Sequence, residues 1–182
     1  RFIVLENGRR YEMQPGSAEF RIMEYARYAV RVETKEARGI ESGQLAPIFR
    51  LEALNSTSNT LGLEDFAGKP LVLSFWTTWC PYCLRQTPVL VAAAGQYTDG
   101  IRFVGVDVGE DAATVTPYVE QHAIPYTILL DQNSRTAAAY AVEGFPTTYF
   151  LDADGRIVAR QIGSLSEEQL QQYVEQLLAS RS

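Results

Sequence analysis

A mixed α/β sheet closed by a terminal hairpin is the fold class this sequence predicts, on three observations. Apolar runs of strand length at 71–76 and 101–108 alternate with segments of helical pattern. Two further runs, 147–151 and 157–162, flank the turn signal Ala153-Asp154-Gly155. Cys80-Pro81-Tyr82-Cys83, which holds the only two cysteines of the chain, stands at the exit of the first apolar run and opens a helix.

In chain order, residues 1–45 read as an appendage. Residues 2–13 fit a hairpin about Asn7-Gly8, a favoured type I′ pair, and Gln14-Pro15-Gly16-Ser17 breaks it. The stretch 20–32 fits two periods. Ile22, Tyr25, Ala26 and Ala29 share a helix face, whereas Tyr28, Val30 and Val32 alternate as in a strand. The extension is read as strand-rich, and 39–46 as a linker. The expected organisation is thus an N-terminal extension and linker over 1–45 and one α/β domain over 46–182.

Within that domain, Ala46-Pro47-Ile48-Phe49-Arg50-Leu51 predicts a short edge strand, followed by the polar run 55–59. Residues 63–68 predict a helical turn stopped by glycine. A helix is expected from about Cys80 to Gly95, with Pro88 kinking it. Then follow a strand at 101–108, a helix at 112–122, a strand at 127–130 and a short helix at 134–140. Ser166 and Gln169 have capping-box spacing and open a last helix ending near Ala179.

Composition bounds the function. With 46% hydrophobic and 21% charged residues the chain can bury a core and is not disordered by composition. Residues 1–45 hold 8 Arg/Lys and 7 Asp/Glu, net +1, while 46–182 hold 8 and 15, net −7. An acidic body argues against a nucleic-acid partner, and solubility accounts for it. No run reaches the roughly 18 apolar residues of a membrane span. A start at Arg1 is what a removed signal or anchor leaves, so membrane attachment is expected only through an N-terminal anchor absent from this sequence.

Cysteine spacing points to redox chemistry. Residues three apart at a helix start share a face and can close a small disulfide ring. Unpaired N–H groups and the dipole at the first turn stabilise a thiolate, the species that attacks disulfides. A tetrahedral zinc site needs about four ligands, and the chain offers no third cysteine and one histidine, His122. A purely structural disulfide gains least from so short a loop. No metal and no cofactor is therefore expected.

An ordered set of residues carries a resemblance. Ala46-Pro47-x-Phe49, Gly68-Lys69-Pro70, Phe75-Trp76-x-Thr78-Trp79-Cys80-x-x-Cys83, Pro88, Leu129-x-Asp131, Tyr140-x-Val142, Pro146-Thr147-Thr148 and Asp152-x-x-Gly155 fall in sequence. Over about 45–180 the chain resembles the thioredoxin-like ResA/TlpA group of thiol–disulfide oxidoreductases. That resemblance implies a thioredoxin fold with a helix–strand insertion near 109–130. It also implies an extracytoplasmic enzyme, usually membrane-tethered, which exchanges disulfides with protein substrates such as apocytochrome c and with an upstream membrane electron donor or acceptor. Carried over by residue, Cys80 matches the exposed nucleophile, Cys83 the resolving thiol and Pro146 the cis-proline beside them. A cis turn would free the Phe145 backbone to pair with an extended substrate strand. Trp79, Pro81, Tyr82 and Phe145 are expected to touch substrate, and Trp76 to pack in the core.

Three departures from the family pattern bear on mechanism. Ser74 stands where thioredoxins proper carry a buried acid, and Gln86 where ResA-like members carry glutamate. Neither side chain titrates usefully. The proton of Cys83 is thus expected to leave through water or another carboxylate, with Glu110 and Glu143 as candidates beside the Gln86 position. Pro81-Tyr82 is the dipeptide of glutaredoxins, which leaves open a disulfide oxidant or isomerase. A non-enzymatic copper- or haem-delivery module using both thiols is the third class; a copper reading would add His122, which more simply caps a helix C-terminus. A peroxiredoxin shares the Ala-Pro-x-Phe start, yet Leu73 stands where its pattern needs proline.

Overall fold

The computed structural model describes residues 2–4, 10–12, 37–54 and 60–179. The chain divides into two compact units, Arg1–Lys35 and Glu36–Ser182. In the first, β1 (Phe2–Val4) pairs antiparallel with β2 (Arg10–Glu12), Ile3 opposite Tyr11. The Asn7-Gly8 turn, the breaker 14–17, the stretch 20–32 and the polar run 55–59 lie outside the described residues.

The second unit is built on a seven-stranded sheet. Its strands are β3 (Arg50–Ala53), β4 (Thr60–Gly62), β5 (Leu71–Trp76), β6 (Arg102–Val108), β7 (Thr127–Asp131), β8 (Thr147–Leu151) and β9 (Ile157–Ile162). Their spatial order is β4-β3-β7-β6-β5-β8-β9. Only β5–β6 and β6–β7 pair parallel, and the other neighbours are antiparallel. Four helices follow the strands: α1 (Pro81–Gln96), α2 (Ala112–Gln121), α3 (Arg135–Ala139) and α4 (Glu167–Ala179). This is the mixed α/β architecture expected, with α2 and β7 as the helix–strand insertion.

Every residue of β5 is buried, as befits a central strand covered on both faces. Leu71, Leu73 and Phe75 join Val104, Val106, Leu129, Tyr149 and Leu151 in a core on the face covered by α3 and the 3-10 turn Leu63–Phe66. Val72, Phe103 and Phe150 pack on α1 and α4 through Leu90, Ala93, Leu170, Val174 and Leu177. Trp76, Ile128 and Leu130 pack on α2 through Val115 and Val119. Each such large side chain contributes about 1.5–3 kcal/mol on burial. Gly105 makes one close approach possible: a Cβ there would lie 2.8 Å from the Trp76 indole nitrogen and 2.7 Å from Ile128 Cδ1.

Two expectations are corrected. The strand expected at 46–51 starts at Arg50, and it is not an edge, because β4 covers it. Pro47 has no N–H for a ladder and Ile48 is 67% exposed, so pairing begins beyond them. Residues 39–46, read as a linker, run hydrogen-bonded along the final hairpin: Gly43 N donates to Ile157 O, Ile157 N to Gln44 O and Ala46 N to Gly155 O. The expected cap of α4 is present, with Ser166 and Gln169 each accepting the other's backbone N–H.

Candidate active site

The strand-to-helix turn after β5 brings the two cysteines together. Cys80 is the N-cap of α1, with extended backbone (φ −83°, ψ 115°), and Pro81 occupies the first helical position, which its fixed φ suits. In that geometry the Cys80 sulfur takes the place of a capping oxygen and accepts the Cys83 N–H at 3.2 Å. Its other partner is the carbonyl oxygen of Phe145, 3.4 Å away, from the loop before β8. Phe145–Pro146 is a cis peptide bond. Both cysteines are free thiols.

Burial separates the two sulfurs less than the sequence suggests. Cys80, expected to be exposed, is only 5% exposed, against 2% for Cys83. Trp76, Val115, Val119 and Leu130 close over the pair from the sheet and α2. Burial pushes the Cys83 thiol well above the usual thiol range, and its hydrogen bond with Cys80 adds to the rise. Cys83 therefore holds its proton at neutral pH.

Exposed aromatics surround this sunken dithiol. Trp79 is 68% and Tyr82 54% exposed. Trp79 meets Phe145 edge to face at 6.1 Å, and the Arg85 guanidinium lies 4.4 Å over the Tyr82 ring. Pro81 is exposed and Pro146 buried. Trp79 and Phe145 thus meet near Cys80, with Pro81 and Tyr82 exposed just after it in the chain and Pro146 buried next to Phe145.

The proton-transfer candidates fare differently. Gln86 is fully committed: Nε2 donates to Ser74 Oγ (3.1 Å) and Thr148 Oγ1 (3.2 Å), while Oε1 accepts Leu165 N (2.9 Å). It lines the same small cavity as Cys83, together with Ser74, Thr87 and Pro146, yet it ties α1 to β5, β8 and the approach to α4 and carries no proton. Glu143 is exposed, and the charge it acts on is Arg160 of β9. Among the described residues nothing joins it to either sulfur, so it falls away as a candidate. Glu110 does reach the site: Oε2 accepts Thr78 N at 2.7 Å and Oε1 accepts Thr78 Oγ1 at 2.6 Å.

Three further residues belong here. Tyr118 on α2 packs on Trp76 with ring centres 4.9 Å apart, and its hydroxyl meets Thr87 Oγ1, which donates to the Cys83 carbonyl. Thr78 carries the Glu110 contact to within two residues of Cys80. Asp107, 0% exposed at the end of β6, lies beside Trp76 in register. Burial and the neighbouring Glu110 push its carboxyl up to about 8. Little in the local sequence marks it, since an acid ending a strand is common. His122 caps the C-terminal end of α2 with its ring against Tyr118. Among the described residues no group of three or more His, Cys, Asp or Glu converges as metal ligands would, and no helix is long and apolar enough to cross a membrane.

Comparison with known proteins agrees with this geometry. Thiol–disulfide oxidoreductase ResA of Bacillus subtilis is 31% identical over 139 residues, 74% of this chain and 75% of that protein. A crystal structure of a thiol:disulfide interchange protein of the thioredoxin family from Chlorobium tepidum superposes with a TM-score of 0.65 at 25% identity, covering 74% of this chain and 95% of that one. A secreted Mycobacterium tuberculosis disulfide oxidoreductase superposes with a TM-score of 0.63 at 28% identity, covering 70% and 94%. Residues 41–177 match the Redoxin family, and the chain belongs to it, as a thioredoxin-fold thiol–disulfide oxidoreductase of the ResA type.

Proposed function

We propose that this Redoxin-family oxidoreductase is a reductase of exported protein disulfides, with Cys80 as nucleophile and Cys83 as resolving thiol. One observation carries the assignment of roles: the Cys80 sulfur accepts a helix N-terminal N–H, whereas the Cys83 thiol is buried and held protonated. In the forward step the Cys80 thiolate attacks a substrate disulfide and expels one substrate thiolate, leaving a mixed disulfide. Cys83 then loses its proton and attacks the Cys80 sulfur, which closes the 80–83 disulfide and frees the second substrate thiol. Two electrons pass to the substrate, and an upstream membrane donor returns them.

Electrostatics supports the direction proposed. A strongly oxidising site stabilises its reduced thiolate. Here, among the described residues, no cationic side chain is bonded to either sulfur, and the nearby titratable groups at the strand ends are carboxyls, Asp107 and Glu110. Such surroundings disfavour the thiolate and hence favour electron donation. Trp79, Pro81, Tyr82, Phe145 and Pro146 form the docking rim, with an extended disulfide-bearing segment as the occupant. The working domain is the unit Glu36–Ser182, which takes in the segment 39–46, and the extension lies within Arg1–Lys35. An extracytoplasmic site, with membrane attachment on the N-terminal side and apocytochrome c among the substrates, completes the reading; the secreted mycobacterial relative supports the compartment.

The reduction potential tests the direction. Equilibration against dithiothreitol or glutathione, read by Trp fluorescence, is expected to give a value near or below about −250 mV. A value of about −120 to −180 mV would make the protein an oxidant or isomerase. Labelling of intact cells with a membrane-impermeant thiol reagent checks the compartment, and an unlabelled Cys80 there overturns it.

A further inference from the structure

Among the described residues Asp107 is a buried carboxyl that completes no hydrogen bond and that the exchange reaction described above does not use. Its neighbour in the sheet, Asp131, shows how this fold ordinarily treats such a group. Asp131 is also buried, and its two oxygens accept Thr136 N at 3.2 Å and Ala137 N at 2.8 Å. Neither oxygen of Asp107 completes a hydrogen bond of that kind, and the one backbone donor that acts on it is the Glu110 N–H, too weakly to offset its burial. In register it lies between Trp76 of β5 and Leu130 of β7, on the face that carries Val115 and Val119 of α2 and both thiols. The polar group pressing on it is a second carboxyl, Glu110. Two carboxylates offer each other only acceptors, so the contact becomes a bond only when one keeps its proton. Glu110 cannot readily be that one, because both its oxygens already accept from Thr78.

We propose that Asp107 is a positioning residue for the dithiol: its protonated carboxyl donates a hydrogen bond to Glu110 and keeps its own proton, which leaves Glu110 as the single charged member of the pair to hold Thr78 two residues before Cys80. The buried acid thereby acts as a neutral donor. Its raised pKa, about 8, agrees with that state at neutral pH. On deprotonation a second negative charge enters the patch, sets the two carboxyls against each other and disfavours the Cys80 thiolate. The other titratable groups about the patch are Tyr118 on α2, the two thiols and Asp111, whose carboxylate caps α2 by accepting Thr114 N. The partners on β5 and β7 are uncharged, and Asp131 is turned to the α3 backbone. The inference rests on Cys80 as the attacking sulfur, the reading proposed above.

Two measurements on the reduced full chain test it. Infrared spectroscopy of the wild type at about pH 7 should show a protonated-carboxyl C=O band that is missing in Asp107→Asn and fades with a midpoint near 8. Iodoacetamide alkylation rates should be taken for both proteins across pH, so that the thiol's own titration cancels in the ratio. The wild-type to Asp107→Asn ratio is expected to fall at least roughly threefold between pH 7 and 9.5. Absence of the band, or a ratio that does not change with pH, overturns the role given to Asp107. Peptide mapping separates the two layers. Label on Cys83 in place of Cys80 overturns the nucleophile assignment and this inference with it, whereas label on Cys80 with a flat ratio overturns this inference alone.

Discussion

Two buried polar clusters flank the dithiol, and they are built on opposite rules. Around Gln86, every polar atom has a neutral partner: Ser74 and Thr148 hydroxyls take the amide protons, and the Leu165 N–H meets the amide oxygen. Around Asp107 a carboxyl sits without a completed hydrogen bond, faces another carboxyl and, on the proposal above, acts on Cys80 through the Thr78 loop. The first cluster carries nothing that titrates between pH 4 and 10, so it holds α1 to the sheet with a strength that pH does not change. The second carries a group whose charge state changes near neutrality. Rigidity and pH response are thus assigned to different sides of the same pair of sulfurs. The family position that ordinarily holds the acid, Gln86, has become part of the rigid side.

The largest test of this contrast is Gln86→Ala. It strands the Leu165 N–H and opens a cavity between α1 and β5, so a loss of about 3 kcal/mol is expected in chemical denaturation, equal at pH 5 and pH 9. A loss under about 1 kcal/mol, or one that varies with pH, would break the comparison.

Asp107→Asn should act in the opposite sense. The folded carboxyl titrates near 8, above its unfolded value of about 3.9. The folded state then binds the extra proton between those limits, and wild-type stability must fall as pH rises through them. Replacing the acid by an amide removes that fall. The variant should gain on the wild type by about 2 kcal/mol or more between pH 5 and pH 8, and its stability should run flatter with pH. Parallel pH curves for the two proteins would place the proton elsewhere.

Thr78→Val is the smallest perturbation. It keeps the backbone donor to Glu110 and removes the hydroxyl, for an expected cost of about 1 kcal/mol. Thr78→Ser should restore most of that loss, and failure to do so would assign the effect to packing.

How much of this was legible in the sequence depends on range. Strands β5 and β8 begin and end where they are expected, because they are buried along the whole run, and β9, buried only at Ile157, is marked by the turn before it. Strand β3 was legible only in part, as a strand set four residues too early, and β4 not at all. No local period marks their three to four residues, which are fixed by pairing of β3 with β4 and with the distant β7. The thiols and their aromatic rim lie in one contiguous motif and across the loop at Pro146, so an ordered set of residues reveals them. Gln86 was visible as a departure, yet its purpose depends on Leu165, distant in the chain and adjacent only in the fold. Glu110 was reached by chemistry alone, whereas Asp107 hid inside an apolar strand where a terminal acid draws no notice. Tyr118 was missed because its helix carries Pro117 and an uneven apolar face.

The depth of the Cys80 sulfur has a consequence for which proteins can be turned over. Only 5% of Cys80 is exposed, while its chain neighbours Trp79 and Tyr82 are 68% and 54% exposed, so a slender segment reaches the sulfur more readily than a bulky surface. Under the reductase role proposed above, that depth favours disulfides carried on extended, unfolded segments over those packed inside a finished domain. Clients would then be sorted by age before any electron moves.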